Sequence, residues 1–203
     1  MKRLFIFFFG LMMACLTSGI TPLQAEPKAI QLSAATVLSP PKPLEVDFSL
    51  QDTSNKPFTP ASLKGHWTVL FFGYAQCPEI CPQTLAIVSE AWRQKLDPNA
   101  QFVFVSLDPK ADTVDALKKF LASFNPSFVG VTGDEAQIKK LAQAFRIFWT
   151  DPSFNAAGQK IIDHPATLFL VNPQGQIKAL FSPPHHASIL AKELKALMES
   201  QNS

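Results

Sequence analysis

Val69–Leu85 reads VLFFGYAQCPEICPQTL. Its first half is an apolar run that Gly73 brings to an end, the pattern of a central strand covered on both faces. Its second half opens a helix. Pro82 sits where a first helical turn tolerates proline, and Leu85, Val88 and Trp92 continue on one face. At the junction stand Cys77 and Cys81, separated by Pro78, Glu79 and Ile80. Thiol–disulfide enzymes usually place two residues between such cysteines, so the wider spacing needs its own explanation.

Outward from this junction the chain alternates. LEVDFSL (Leu44–Leu50) reads as a half-buried strand and QFVFVSL (Gln101–Leu107) as a buried one. Asp112 or Thr113 starts a helix with Val114, Leu117, Leu121 and Phe124 inward. SFVGVTG (Ser127–Gly133) is a short strand. Asp134 caps the next helix, with Gln137 three residues on and Ile138, Leu141 and Phe145 inward. Lys160–Phe181 reads as strand, Asn-Pro-Gln-Gly turn and strand. His185–Ser200 is a closing amphipathic helix with Leu190, Leu194 and Leu197 inward. Alternating units predict parallel strands, and the tight hairpin predicts an antiparallel pair. The expected fold class is α/β, thioredoxin-like, a central mixed sheet flanked by helices. In such open sheets the site lies beyond the carboxyl ends of the central strands, where Cys77 falls.

The 203-residue chain is 47% hydrophobic with 18 phenylalanines, enough to fill a core without a disulfide. Its net charge is +2, and Lys2 and Arg3 supply two of the positives. The remainder is near neutral and offers no electrostatic footprint for nucleic acid. Residues 1–25 have a basic start, an apolar run and a small, polar end at Ala25, the pattern of a signal peptide or membrane anchor. Met12–Cys15 also has the outline of a lipoprotein box. Each of the three places the domain outside the cytoplasm, in the periplasm and possibly held at the inner membrane, where the surroundings oxidise thiols. Residues 26–43, with Pro27, Pro40, Pro41 and Pro43, read as a linker, and 44–203 as the folded domain.

Three readings of the cysteines stand beside one another. They are a structural disulfide or two buried thiols, a redox pair exchanging disulfides, or a soft-metal site in which two thiolates select Cu(I) or zinc. Both sulfurs lie near the positive end of a helix dipole, which favours the thiolate that each chemical reading needs. Only the metal site requires a third ligand. His66 sits in a turn before a buried strand, as a solvated loop residue. His185 and His186 precede the last helix, as surface residues. His164 stands at the start of a strand that a thioredoxin-like sheet packs against the cysteine loop, with Asp163 beside it to orient or tune it.

FFGYAQCPEICPQTL, then FVFVSLDPKADT, then GVTGDEAQIKKLAQAFRI, then IIDHPATLFLVNPQG occur in that order. The set resembles the Sco/SenC family of copper-binding, thioredoxin-fold proteins of cytochrome c oxidase assembly, over about Phe48 to Leu197. The resemblance implies a copper ion, Cu(I) or Cu(II), held by Cys77, Cys81 and His164. It implies a metallochaperone rather than an enzyme, with cytochrome c oxidase subunit II or another copper or thiol protein as partner, acting as a monomer. Asp108 and Asp112 match the acidic positions of the Asp-Pro segment. Ala75 stands where the family commonly has Thr, and Pro165 where it has Ser or Thr. The alternative is an extracytoplasmic thiol–disulfide reductase, with Cys77 attacking and Cys81 resolving.

Overall fold

The computed structural model describes residues 32–200. The expected signal or anchor, 1–25, and the first part of the expected linker, 26–31, lie outside the described residues. The strands are β1 (Ala35–Pro43), β2 (Leu50–Asp52), β3 (Pro57–Phe58), β4 (Thr68–Gly73), β5 (Gln101–Ser106), β6 (Val129–Thr132), β7 (Ser153–Phe154), β8 (Lys160–Ile161), β9 (Leu168–Val171) and β10 (Gln176–Phe181). The helices are α1 (Ile80–Trp92), α2 (Val114–Ala122), α3 (Glu135–Ala144) and α4 (Ala187–Glu199).

Eight strands form one sheet in the order β1-β10-β9-β4-β5-β6-β2-β3. β4, β5 and β6 run parallel, joined by crossovers that carry α1 and α2. β9 and β10 are antiparallel across the Asn172–Gly175 turn. Gly175 supplies the positive φ of 78° there, and the Asn172 carboxamide accepts the Gln174 and Gln176 amides. The sheet is the expected mixed, thioredoxin-like one. Val69 and Phe71 point into a core shared with α1, α2 and α4, while Leu70 and Phe72 point into one shared with α3. The alternation is the period-two consequence of a strand buried on both faces.

The structure departs from the sequence reading at three places. Residues 35–43, expected as the end of a linker, form edge strand β1 on β10. The sheet therefore starts before Leu44. Prolines suggested a spacer, but on an edge strand the missing N–H costs no ladder bond on the open side. Leu44–Leu50 keeps its buried alternation, with Phe48 and Leu50 inward, yet the ladder begins only at Leu50. The Ser49 amide donates to Gln137 Oε1 at 3.2 Å, so Gln137 serves this segment rather than a capping box. The Asp134 carboxylate takes the Ala136 and Gln137 amides alone. Finally, the strand expected from Lys160 onward is interrupted between Ile161 and Leu168. Pro165 has no N–H for a ladder, and the Ile162 amide donates to the Tyr74 hydroxyl.

Glu193 on α4 anchors the first described residues. It is 2% exposed, and its carboxylate accepts from the Ser33 amide at 2.6 Å, the Ser33 hydroxyl at 2.9 Å and the Ala35 amide at 2.8 Å. Burial pushes its pKa up, but these hydrogen bonds outweigh it and hold the group below the usual carboxylate range. A depressed folded value means stability present above the unfolded pKa of about 4.3 and lost as pH falls through the folded one. Glu193→Ala should cost about 2 kcal/mol in urea unfolding at neutral pH. The gap from wild type should close on acidification, and a gap unchanged at about pH 3 would contradict this assignment.

Candidate metal centre

β4 delivers its carboxyl end at Gly73, against which α1 presses. A Cβ at Gly73 would lie 2.9 Å from Cys81 Sγ and 2.9 Å from the Phe104 ring. Glycine is therefore needed here for close approach, not for a turn. The loop then folds back so that the Cys77 amide donates to the Tyr74 carbonyl at 3.2 Å. Glu79 is the residue before the helix, but its side chain makes no capping bond. Cys77 Sγ takes over that duty and accepts the Cys81 amide at 3.4 Å. A sulfur that receives a helix N-terminal N–H is stabilised as thiolate. Cys77 is 8% exposed and Cys81 is fully buried.

His164 arrives from the other side. β7 and β8 form a separate hairpin, Ile162 is buried, and the imidazole is half-buried between the rings of Phe71 and Tyr74 at 6.1 and 5.9 Å. Its Nδ1 faces the Pro165 carbonyl at 3.2 Å, and its Nε2 faces Cys81 Sγ at 3.6 Å. A carbonyl can only accept, so the proton belongs on Nδ1. That leaves the Nε2 lone pair directed at the sulfur.

The electrostatics separate the two thiols. Hydrogen bonding from the Cys81 thiol pulls Cys77 down to about 3, helped against burial by the Cys81 and Glu79 amides. The same bond to Cys77, and then burial, pushes Cys81 far up. The reduced pair thus carries one negative charge, on Cys77. Burial raises the neighbouring Tyr74 hydroxyl to about 12, so it remains a neutral hydrogen-bonding group.

The donor set suits a soft ion. Ligand bonds of about 2.3 Å to sulfur and about 2.0 Å to nitrogen, the zinc values, opened at about 120°, put the two ligand atoms about 3.7 Å apart. Cys81 Sγ and His164 Nε2 stand at 3.6 Å. Among the described residues no group of three or more His, Cys, Asp or Glu side chains is gathered so as to hold an ion as it stands. The sulfur of Cys77, the other thiol of the pair, is engaged by the Cys81 amide.

The other residues singled out in the sequence fall into place differently. Asp163 is exposed, and its main chain pairs with Thr150, with distances of 3.0 and 3.1 Å. No hydrogen bond joins its carboxylate to the imidazole, whose Nδ1 uses the Pro165 carbonyl instead. His66 is not a solvated loop residue: it is half-buried, with Nε2 at 3.0 Å from the Ser62 carbonyl and 2.7 Å from Gln101 Nε2. His186 is exposed at the start of α4, while His185 is half-buried and meets the Ala166 carbonyl at 2.7 Å, bracing the segment after His164. Asp112 is buried and accepts the Ala75 amide at 3.1 Å and the Ser106 hydroxyl at 2.7 Å. Burial raises its pKa, against those two bonds. Tyr74 and Lys160 also border the site. A lone Tyr after Gly73 and a Lys four residues before His164 carry no periodic signal.

The SCO1/SenC family model matches residues 36–199 of this chain. The mitochondrial protein SCO2 of Saccharomyces cerevisiae is 36% identical over 134 residues, 64% of this chain, which spans 44% of that relative's length. A putative copper-binding protein of Stutzerimonas stutzeri is 28% identical over 195 residues, covering 95% of both chains. The crystal structure of Arabidopsis thaliana ScoI with copper bound superposes with a TM-score of 0.70 at 27% identity, over 76% of this chain and 97% of that one.

Proposed function

The chain belongs to the SCO1/SenC family, and from that premise we propose that it takes up one copper ion on Cys77, Cys81 and His164 and passes it on during cytochrome c oxidase assembly. The recipient in this reading is the dinuclear copper site of subunit II, reached outside the cytoplasm, in the periplasm. The observation that carries the reading is the 3.6 Å approach of His164 Nε2 to Cys81 Sγ, between residues 83 positions apart. Thiolate and imidazole together are the soft donor set that favours Cu(I). The lone pair faces the sulfur and the ring's other nitrogen is fixed by a carbonyl, an arrangement that orients a ligand before the ion arrives. The copper-bound plant relative supports copper as the cargo.

Titration of the reduced protein with Cu(I) should end at about one ion per chain, read by mass and by competition with a chromophoric chelator. Oxidation to the Cys77–Cys81 disulfide removes both thiolates and should abolish uptake. Equal uptake by the two forms would refute the site.

One observation favours a thiol–disulfide reductase as the second reading: Cys77 is the more exposed sulfur and is held as thiolate. It would attack a partner disulfide, giving a mixed disulfide and releasing one partner thiolate. Cys81 would then lose its proton and displace the second partner sulfur, leaving Cys77–Cys81 oxidised and the partner reduced by two electrons. A mixed disulfide trapped by Cys81→Ser, together with full activity of His164→Ala, would favour this reading over the first.

A further inference from the structure

His164 stands between an arm that the main sheet does not carry, β7–β8, and strand β9 of that sheet. β7 and β8 pair with each other in a separate two-stranded sheet, and residues 151–159 are exposed. On that side, placement of the imidazole depends on what ties this arm to the thiol loop. Lys160 Nζ donates to Asp108 Oδ2 at 2.6 Å, with the lysine side chain 22% and the aspartate side chain 7% exposed. The Tyr74 hydroxyl donates to the Lys160 carbonyl at 3.3 Å and accepts the Ile162 amide at 3.1 Å.

The far end of this tie is the turn that holds the cysteine loop. The Asp108 amide donates to the Ser106 hydroxyl at 3.0 Å, and that hydroxyl donates to Asp112 Oδ2. The Asp112 amide donates to the Asp108 carbonyl at 2.8 Å. One turn after β5 thus grips both halves of the site. Its Asp112 carboxylate holds Ala75, two residues before Cys77, and its Asp108 carboxylate holds Lys160, four residues before His164.

We propose that Asp108 and Lys160 are positioning residues, whose ion pair clasps the His164 arm over the thiols and so strengthens copper binding without touching the ion. The proposal rests on the three-donor reading above. A nearly buried carboxylate that loses its paired cation is left uncompensated, so the contact resists opening more than a surface pair does. A freed arm would spend part of its time with the imidazole out of reach, and apparent affinity falls by that fraction.

Lys160→Met removes the charge and keeps the stem; Lys160→Arg restores the charge. Lys160→Met should lower Cu(I) affinity about tenfold, the scale for groups that orient a ligand, and Lys160→Arg should recover most of it. Asp108→Asn, which leaves no unpaired carboxylate behind, should reproduce the loss in a protein whose thermal melt stays close to wild type. In the His164→Ala background the Lys160→Met effect should vanish. In the copper-free protein, exchange of the Ile162 amide should quicken. Wild-type copper affinity in Lys160→Met, or an undiminished loss on top of His164→Ala, would overturn the clasp while leaving the three-donor site intact. Wild-type affinity in His164→Ala alone would instead remove the three-donor reading, and the clasp with it.

Discussion

His164→Ala is expected to weaken Cu(I) binding by about 100-fold or more. Groups that merely orient a metal ligand already account for tenfold to 100-fold in affinity, so loss of a ligand should reach at least the top of that range. The imidazole is also the only donor that comes from outside the cysteine loop. Without it, two sulfurs remain, one in the loop before α1 and one, fully buried, in its first turn. The expected loss appears in competition with a chromophoric chelator, and the Cu(II) form should lose its imidazole-dependent spectrum. Thermal melting separates this from unfolding, because the ring is only half-buried and its removal takes from the Val69–Phe72 strand only the contact with Phe71. The Cys77 thiolate should survive, since its largest support is the Cys81 thiol rather than the imidazole. Affinity within about threefold of wild type would sink the three-ligand site.

The parts of this molecule that could be read from the chain are those with strong local grammar. The Val69–Phe72 run with a glycine at its end, the proline in the first turn of α1 and the apolar periods of α2, α3 and α4 each state their structure within a dozen residues. The thiol pair announces itself by spacing, and His164 by the motif around it. What stayed hidden lacks such grammar. β1 is rich in proline and half-exposed, and only the strand beside it makes it a strand. The β7–β8 hairpin is exposed along β7, half-buried along β8 and two residues to a strand, so no hydrophobic period marks it. The Lys160–Asp108 pair joins residues 52 positions apart, and an ion pair across that distance leaves no trace in either neighbourhood. The turn around His66 suggests a solvated ring, but its partner Gln101 lies on β5. In each case tertiary contact, not local preference, decides the outcome.

Alkylation of Cys77 by iodoacetamide in the reduced, copper-free protein should be almost independent of pH between about pH 5 and pH 8, where an ordinary thiol slows about 1000-fold. An ordinary cysteine with a pKa of about 8.5 is only about 0.03% ionised at pH 5. Cys77, held near 3 by the Cys81 thiol and the helix-start amides against its burial, should be ionised throughout. The sign follows from the depressed value: charge is lost only as pH falls through about 3. The plateau itself should be low, because a thiolate of low basicity is a weaker nucleophile. Shape, not height, is the test, and a rate that falls tenfold per unit would contradict the assignment. Cys81→Ser keeps a hydroxyl donor and should preserve the flat profile, while Cys81→Ala should steepen it near the acid end. The asymmetry also bears on loading. With Cys77 already charged and Cys81 still holding its proton, binding copper through both sulfurs releases one proton rather than two. Near neutral pH the apparent affinity should therefore rise about tenfold per unit, against about 100-fold for two ordinary thiols. A pair arranged this way offers an incoming soft cation one ready ligand, and requires it to displace a proton from the other.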